Sequence, residues 1–177
     1  IREFFMKKIG IALVALGILF FSGQNAMTED LKVGSAAPEF SLKGTDGKTY
    51  KLSQFKNKQY VVVAWYPKAL TGGWTKECQS LRESGKELEG LNVAFFGASC
   101  DTVELNTKFA KKLDLNYPLL SDTDGSVAKA YGIHNGKFSK RVTFIIDKEG
   151  NIAHIDTKVK VGSHGKDLVA KLKELQK

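Results

Sequence analysis

The sequence predicts an α/β domain in which a central mixed sheet, preceded by an N-terminal β-hairpin, is flanked by helices. The continuous run of β-branched and aromatic residues at 60–65 is typical of a strand buried on both faces, and further buried strands are predicted at 92–98 and 142–146. The segments between these runs carry the periodicity of amphipathic helices. Strands that alternate with helices predict a mostly parallel sheet with helices on both faces.

An Asp-Gly turn organises the start of the domain. The short runs 39–42 and 49–51 flank the turn residues 45–48, and this pattern predicts a β-hairpin. After the strand 60–65, a loop leads into a helix that is predicted over about 75–89. The inward positions of this helix recur at helical spacing and are Cys78, Leu81, Gly85 and Leu88.

Helix signals also follow the second buried strand. Asp101 and Glu104 resemble an acidic capping box and predict a helix that ends near residue 113. The turn at 124–125 introduces a short helix that ends near 131–132. The chain then closes with the strand 142–146, a less buried strand over 151–158 and a helix over 166–176.

The first 26 residues have the layout of a secretory signal peptide. Two lysines precede an apolar run of 13 residues at 9–21, and small and polar residues follow up to Ala26. The run is short for a membrane span. We expect translation to start at Met6, with 1–5 upstream of it. We expect residues 1–26 to direct export to the periplasm or cell envelope, with membrane attachment only where the leader stays uncleaved.

Composition and charge exclude several classes of function for the remaining residues, 31–177, which we predict to be one domain. The chain of 177 residues is 42% hydrophobic and 26% charged, which is ordinary for a globular protein. Two cysteines and three well-separated histidines supply neither a disulfide scaffold nor a metal-ligand set. The net charge of +8 comes from lysines interspersed with acids, which is not the pattern of a nucleic-acid-binding protein. No glycine-rich phosphate loop is completed, which argues against a nucleotide site. We expect no metal, haem, flavin or nucleotide cofactor.

The segment 66–78, with the sequence YPKALTGGWTKEC, carries the strongest functional signal. Position 74 follows a buried strand and stands at the start of a helix, where backbone N–H groups have no partner within the helix. These groups and the helix dipole stabilise a thiolate and lower its pKa. The hydroxyl of Thr71 and the guanidinium of Arg141 are suited to bind a peroxide and to stabilise the leaving hydroxide, while Pro67 shapes and shields the loop.

The segment resembles the active-site loop of peroxiredoxins, specifically the bacterioferritin-comigratory (PrxQ) branch of the AhpC/TSA family. Pro67, Thr71 and position 74 match the PxxxTxxC signature of that family. Further matching segments occur in the same order at 33–40, 118–122 and 141–147. The resemblance implies a thioredoxin-like fold, either a monomer or a homodimer, and an antioxidant peroxidase.

The same resemblance implies a reaction. A thiol attacks the O–O bond of hydrogen peroxide or an organic hydroperoxide and becomes a sulfenic acid. A second thiol then reduces the sulfenic acid, with electrons from a thioredoxin-like partner.

The sequence departs from this signature at its central residue, because position 74 is tryptophan and an indole is not a nucleophile. Three hypotheses follow. In the first, the native protein carries cysteine or selenocysteine there: a tryptophan codon is one base from a cysteine codon, and UGA, which can encode selenocysteine, can be read as tryptophan. In the second, Trp74 is native and Cys78 attacks instead, as the nucleophile of a thiol oxidoreductase. In the third, the protein is a catalytically inactive relative that binds or protects other proteins.

Cys78 and Cys100 are the candidate second thiols. The resolving cysteine of the PrxQ branch usually lies five residues after the attacking one, whereas Cys78 lies four residues after position 74 and Gln79 occupies the usual place. Cys78 is therefore a resolving thiol displaced by one residue, a substitute nucleophile or a core residue. Cys100 is an alternative resolving thiol, a bystander, or the partner of Cys78 in a disulfide.

Overall fold

The structure is a computed structural model that describes residues 31–177. The predicted leader, 1–26, and the predicted start at Met6 lie outside the described residues. Among the residues that are described, no helix has the length and apolar character needed to cross a membrane. The strands are β1 (Ser41–Gly44), β2 (Thr49–Lys51), β3 (Tyr60–Trp65), β4 (Val93–Ser99), β5 (Leu119–Ser121), β6 (His134–Asn135), β7 (Phe138–Ser139), β8 (Val142–Ile146) and β9 (Ile152–Asp156). The helices are α1 (Gly72–Glu83), α2 (Gly85–Gly90), α3 (Val103–Lys112), α4 (Ser126–Ala130) and α5 (His164–Leu175), with a 3-10 helix at Leu52–Phe55.

Seven strands form one sheet in the order β2-β1-β5-β4-β3-β8-β9, and β6 and β7 form a separate hairpin that the sequence did not indicate. The predicted N-terminal hairpin and mixed sheet are confirmed, since β1 pairs antiparallel with both β2 and β5. The pairs β3–β4 and β4–β5 are parallel, whereas β3–β8 and β8–β9 are antiparallel. The prediction of a mostly parallel sheet is therefore wrong. Short turns rather than helical crossovers connect β1 to β2 and β8 to β9, and such turns produce antiparallel pairs.

Two apolar layers enclose the sheet. Alternate residues of β3 point to opposite faces, so that Val61 and Val63 pack in one layer and Val62 packs in the other. The layer on the Val62 side contains the inward side chains of α1, α2, α3 and α5. The opposite layer contains the N-terminal hairpin and α4. Helices therefore cover both faces, as the sequence predicted.

The helix predicted over 75–89 is two helices. The first, α1, begins at Gly72, three residues earlier than predicted, and α2 begins at Gly85. The chain changes direction at Ser84, whose φ and ψ of −88° and 1° are outside the helical range. At Gly85 the backbone approaches the side chain of Asn116 too closely for a Cβ. Glycine at this position allows the close approach and marks the break.

The predicted capping box at the start of α3 is wrong. The hydroxyl of Thr102 accepts the N–H of Leu105 at 3.3 Å and caps the helix. Asp101 lies one residue outside the cap, and its carboxylate accepts hydrogen bonds from the hydroxyl of Ser99 and from the loop after β3 instead. Because threonine is an effective N-cap, the carboxylate of Asp101 is not needed to cap α3 and can accept a hydrogen bond from the neighbouring loop.

Candidate active site

The loop between β3 and α1 is held in one shape by hydrogen bonds from neighbouring elements. The backbone N–H of Ala69 donates to Oδ2 of Asp101 at 2.7 Å. The hydroxyl of Ser139 donates to the carbonyl of Tyr66 at 2.7 Å. Directly after these anchors, Leu70 adopts the left-handed region at φ 62°, which a leucine rarely does. The loop therefore enters α1 in a fixed direction, and Asp101 is one of the residues that fix it.

Pro67 and Thr71 lie near the two ends of this loop. Pro67 is partly buried, and Thr71 is an exposed residue in extended conformation directly before α1. The hydroxyl of Thr71 donates to the carbonyl of Lys68 at 3.0 Å and does not cap the helix. The lone pairs of this oxygen can therefore accept a hydrogen bond from a peroxide, and the first N–H groups of α1 have no side-chain cap from Thr71.

Trp74, in the first turn of α1, is packed into the core. Its side chain is 0% exposed and stacks on Tyr66, with ring centroids 3.7 Å apart and planes inclined by 11°. The ring of Phe109 lies 6.5 Å away on α3, and Gly97 on β4 leaves room for the indole because a Cβ there would approach it to 3.2 Å. The indole N–H, like that of Trp65, has no hydrogen-bond partner. Such a group lowers stability, since its hydrogen bonds to water are lost and not replaced.

Arg141 lies beside the first turn of α1 and is held by a buried carboxylate. Its Nη1 forms a salt bridge with Oε2 of Glu77, whose side chain has no exposed surface. Its Nη2 lies 3.4 Å from the point where a Cβ on Gly73 would stand. The structure thus brings Arg141 and Thr71 to the same end of α1, where position 74 belongs to the first turn.

Glu77 and His164 belong to this site although sequence reasoning missed them. Oε1 of Glu77 lies 2.8 Å from Nδ1 of His164, and Nε2 of His164 lies 3.1 Å from the hydroxyl of Thr143. A signal for Glu77 was present, because it stands on the inward side of α1 next to Cys78, where a charged residue is out of place. His164 had no such signal, because its partners are distant in the sequence.

The two cysteines lie on opposite faces of the sheet. Cys78 is fully buried, and burial raises the pKa of its thiol to about 12. Cys100 is half-buried, and burial together with the carboxylates of Asp122 and Asp101 raises the pKa of its thiol to about 11. Cys78 belongs to the layer of α1, whereas Cys100 packs against the other layer, and both thiols are free. Burial weighs against Cys78 as the attacking thiol, and the sheet separates the two sulfurs that a disulfide would have to join.

Comparison with known proteins identifies the family. Residues 33–155 match the AhpC/TSA family. The chain belongs to this family. Within it, the protein is a peroxiredoxin of the Bcp/PrxQ branch, as the sequence predicted: it is 37% identical to Peroxiredoxin Bcp of Bacillus subtilis over 153 residues, which cover 82% of this chain and 97% of that protein.

Solved peroxiredoxin structures confirm the predicted thioredoxin-like fold. The peroxidoxin BcpB of Mycobacterium tuberculosis is 32% identical and superposes with a TM-score of 0.75. The superposition covers 81% of this chain and 97% of the BcpB chain. A PrxQ mutant of Xylella fastidiosa is 26% identical and superposes with a TM-score of 0.78. The superposition covers 84% of this chain and 99% of the PrxQ chain.

The start of α1 in this peroxiredoxin carries groups that can stabilise negative charge. The uncapped N–H groups of α1, the guanidinium of Arg141 and the hydroxyl of Thr71 all lie at the start of α1, whose first turn includes position 74. Within residues 31–177, no three His, Cys, Asp or Glu side chains are grouped so that they could hold a metal ion. The arrangement suits attack by a thiolate or selenolate on a peroxide, but position 74 carries an indole.

Proposed function

We propose that this peroxiredoxin is a thiol- or selenol-dependent peroxidase that reduces hydrogen peroxide and organic hydroperoxides, and that cysteine or selenocysteine belongs at position 74. The observation that carries the proposal is the convergence of Arg141 and Thr71 on the first turn of α1. A guanidinium and free helix N–H groups stabilise negative charge, and an indole bears none.

The proposed reaction has two steps, an oxidation of the nucleophile by peroxide and its reduction by a dithiol. The chalcogen anion attacks one oxygen of the peroxide, the O–O bond breaks, and the leaving hydroxide or alkoxide takes up a proton. The chalcogen loses two electrons and becomes a sulfenic or selenenic acid, while the other peroxide oxygen is reduced to water or an alcohol. A thioredoxin-like dithiol then supplies two electrons, becomes a disulfide and releases water. Arg141 stabilises the leaving oxygen, and Thr71 orients the peroxide.

The test is peroxide turnover by Trp74→Cys, with Trp74→Ser as the matched control. Both substitutions remove the same core volume, but only the cysteine adds a nucleophile. We expect hydrogen peroxide consumption, coupled to a thioredoxin system, by Trp74→Cys and none by Trp74→Ser or by the chain with Trp74. A folded Trp74→Cys that leaves peroxide untouched would overturn the proposal.

The mass of the native protein is a second, independent test of which residue occupies position 74. Intact-mass spectrometry of protein purified from the cell envelope distinguishes cysteine, selenocysteine and tryptophan at position 74. The same measurement reports whether residues 1–26 have been removed, as we propose for an exported protein. A tryptophan mass, matched by a TGG codon, would exclude the nucleophile at 74.

One observation favours a second candidate, an inactive relative that binds or protects other proteins. With Trp74 in place, both the indole and the thiol of Cys78 are fully buried, so neither offers a nucleophile at the surface beside Thr71. The peroxide assay also decides this case: a Trp74→Cys form that is folded and inert, while the chain with Trp74 suppresses aggregation of a heated client protein, would favour the binding role.

A further inference from the structure

A chain of buried polar side chains leads away from the site. Glu77 on α1, His164 at the start of α5 and Thr143 on β8 are 0%, 2% and 1% exposed. Arg141 is the member that reaches solvent, with 23% of its side chain exposed.

The two oxygens of Glu77 have different partners. Oε2 accepts the hydrogen bond from Nη1 of Arg141, and Oε1 faces Nδ1 of His164 at 2.8 Å. A guanidinium and a carboxylate otherwise tend to form two parallel hydrogen bonds, one to each oxygen. Here His164 stands at Oε1, and the second guanidinium nitrogen, Nη2, lies beside Gly73, 3.4 Å from the position of a Cβ there.

We propose that His164 is a positioning residue for Arg141: by occupying Oε1 of Glu77, it restricts the carboxylate to one guanidinium nitrogen and leaves Nη2 of Arg141 beside position 74. The proposal rests on the peroxidase function proposed above, in which Arg141 stabilises the anionic nucleophile and the leaving oxygen. It adds that the direction of the guanidinium is determined by an imidazole that touches neither peroxide nor nucleophile.

The protonation state of His164 agrees with this role. Burial lowers the pKa of its imidazole to about 4, with the cation of Arg141 acting in the same direction and the carboxylates of Asp156 and Asp167 opposing it. At neutral pH the ring is therefore uncharged and has one N–H. Nδ1 lies 2.8 Å from Oε1 of Glu77 without the geometry of a hydrogen bond, and Nε2 lies 3.1 Å from the hydroxyl of Thr143. Glu77 thus has one charged partner, Arg141, and one neutral partner.

The experiment uses two substitutions that each keep one half of the imidazole. In His164→Asn the amide nitrogen replaces Nδ1 and preserves the contact with Glu77. In His164→Gln the amide group replaces Nε2, which preserves the contact with Thr143 and releases Oε1 of Glu77. Both are made in Trp74→Cys, and His154→Asn, which alters a half-buried imidazole on β9 outside this chain of side chains, is the control.

The readout is the pKa of the thiol introduced by Trp74→Cys, taken from the rate of iodoacetamide alkylation against pH. Trypsin cleaves after Lys76, so mass spectrometry reports the thiol at position 74 separately from Cys78. We expect His164→Gln to raise this thiol pKa by about one unit, because a cation moves away from the thiolate. Alkylation at a pH well below the pKa then slows about tenfold. We expect His164→Asn and His154→Asn to leave the thiol pKa unchanged.

The thiol pKa tests the role of His164, whereas peroxide turnover tests the proposed peroxidase function. A thiol pKa that is the same in His164→Gln and in its parent, or that rises equally in His164→Gln and His164→Asn, would overturn the positioning role. If His164→Gln does not fold, His164→Leu, which also releases Oε1 of Glu77, takes its place with the same expectation, and Thr143→Val, which releases only the other ring nitrogen, is its control. Because the readout is not turnover, an inert Trp74→Cys refutes the peroxidase while the thiol pKa still decides the role of His164.

Discussion

At the scale of single residues, the site is organised around a charge that its central residue does not carry. Thr71 uses its proton on the carbonyl of Lys68 and leaves its lone pairs to a ligand. Arg141 is oriented by Glu77 and remains beside Gly73. Neither arrangement assists Trp74, whose indole lies in the core. The hydroxyl oxygen of Thr71 and the guanidinium of Arg141 are thus placed where they could stabilise an anionic nucleophile in the first turn of α1.

The hydroxyl of Thr71 is expected to be a catalytic group. In the Trp74→Cys form, Thr71→Val should lower kcat/KM for hydrogen peroxide by about 100-fold, because a hydrogen bond to the reacting oxygens is lost. Thr71→Ser keeps the hydroxyl and should stay close to its parent. Steady-state assays coupled to a thioredoxin system measure both variants, and equal rates in Thr71→Val and its parent would exclude this role.

At the scale of elements, the site depends on close packing between α1 and the start of α5. The N–H of Gly165 donates to Oγ of Ser80 at 3.0 Å. A Cβ on Gly165 would collide with the carbonyl oxygen of Ser80 and would stand 2.5 Å from Oγ of Ser84. The glycine therefore lets the two helices approach, and this approach brings His164 to Glu77.

Gly165→Ala should consequently destabilise the domain, because the backbone of α1 cannot yield as a flexible side chain would. We expect a loss of about 1–3 kcal/mol in the free energy of unfolding, the usual range for overpacking. Gly162→Ala is the matched control, since a Cβ there meets no atom within 4 Å. Urea denaturation compares the two variants, and equal midpoints would mean that the contact between α1 and α5 adjusts without loss.

At the scale of the whole molecule, both apolar layers bury ionisable groups in their neutral forms. Burial raises the pKa of Cys78 to about 12, and it raises the pKa of Tyr66, Tyr117 and Tyr131 above their ordinary value of 10.0. Above the ordinary pKa of each group, the unfolded chain releases a proton that the folded protein keeps. The free energy of unfolding therefore falls as pH rises above about 9.

The contribution of Cys78 to this fall can be isolated. Its thiol stabilises the folded state fully below its ordinary pKa of 9.0, and that stabilisation is lost as pH rises towards about 12. Cys78→Ala should reduce the slope of the unfolding free energy against pH by roughly 1 kcal/mol per pH unit between pH 9 and 11. Val62→Ala truncates the same layer without removing a titratable group and should keep the slope of the parent. Guanidinium denaturation at several pH values measures these slopes, and identical slopes in both variants would contradict the assignment to Cys78.

Local patterns were enough to predict the buried strands and the loop of the site. The strands 60–65 and 142–146 are runs rich in β-branched and aromatic residues, and the structure has them with these bounds. Pro67 and Thr71 were recognisable because their spacing to position 74 lies within one short segment. The family of the chain followed from the same segment. All of these features depend on residues close together in the sequence.

Tertiary structure alone decided the features that join distant residues. The carboxylate of Asp101, which follows β4, contacts the loop after β3. His164 lies between Glu77 and Thr143, and the guanidinium of Arg141 lies at the start of α1. The tertiary structure also separates Cys78 from Cys100 by a sheet, although both were candidates for one disulfide. Periodicity tells which face of an element is buried, whereas the partner that meets a polar group on that face depends on how the elements pack.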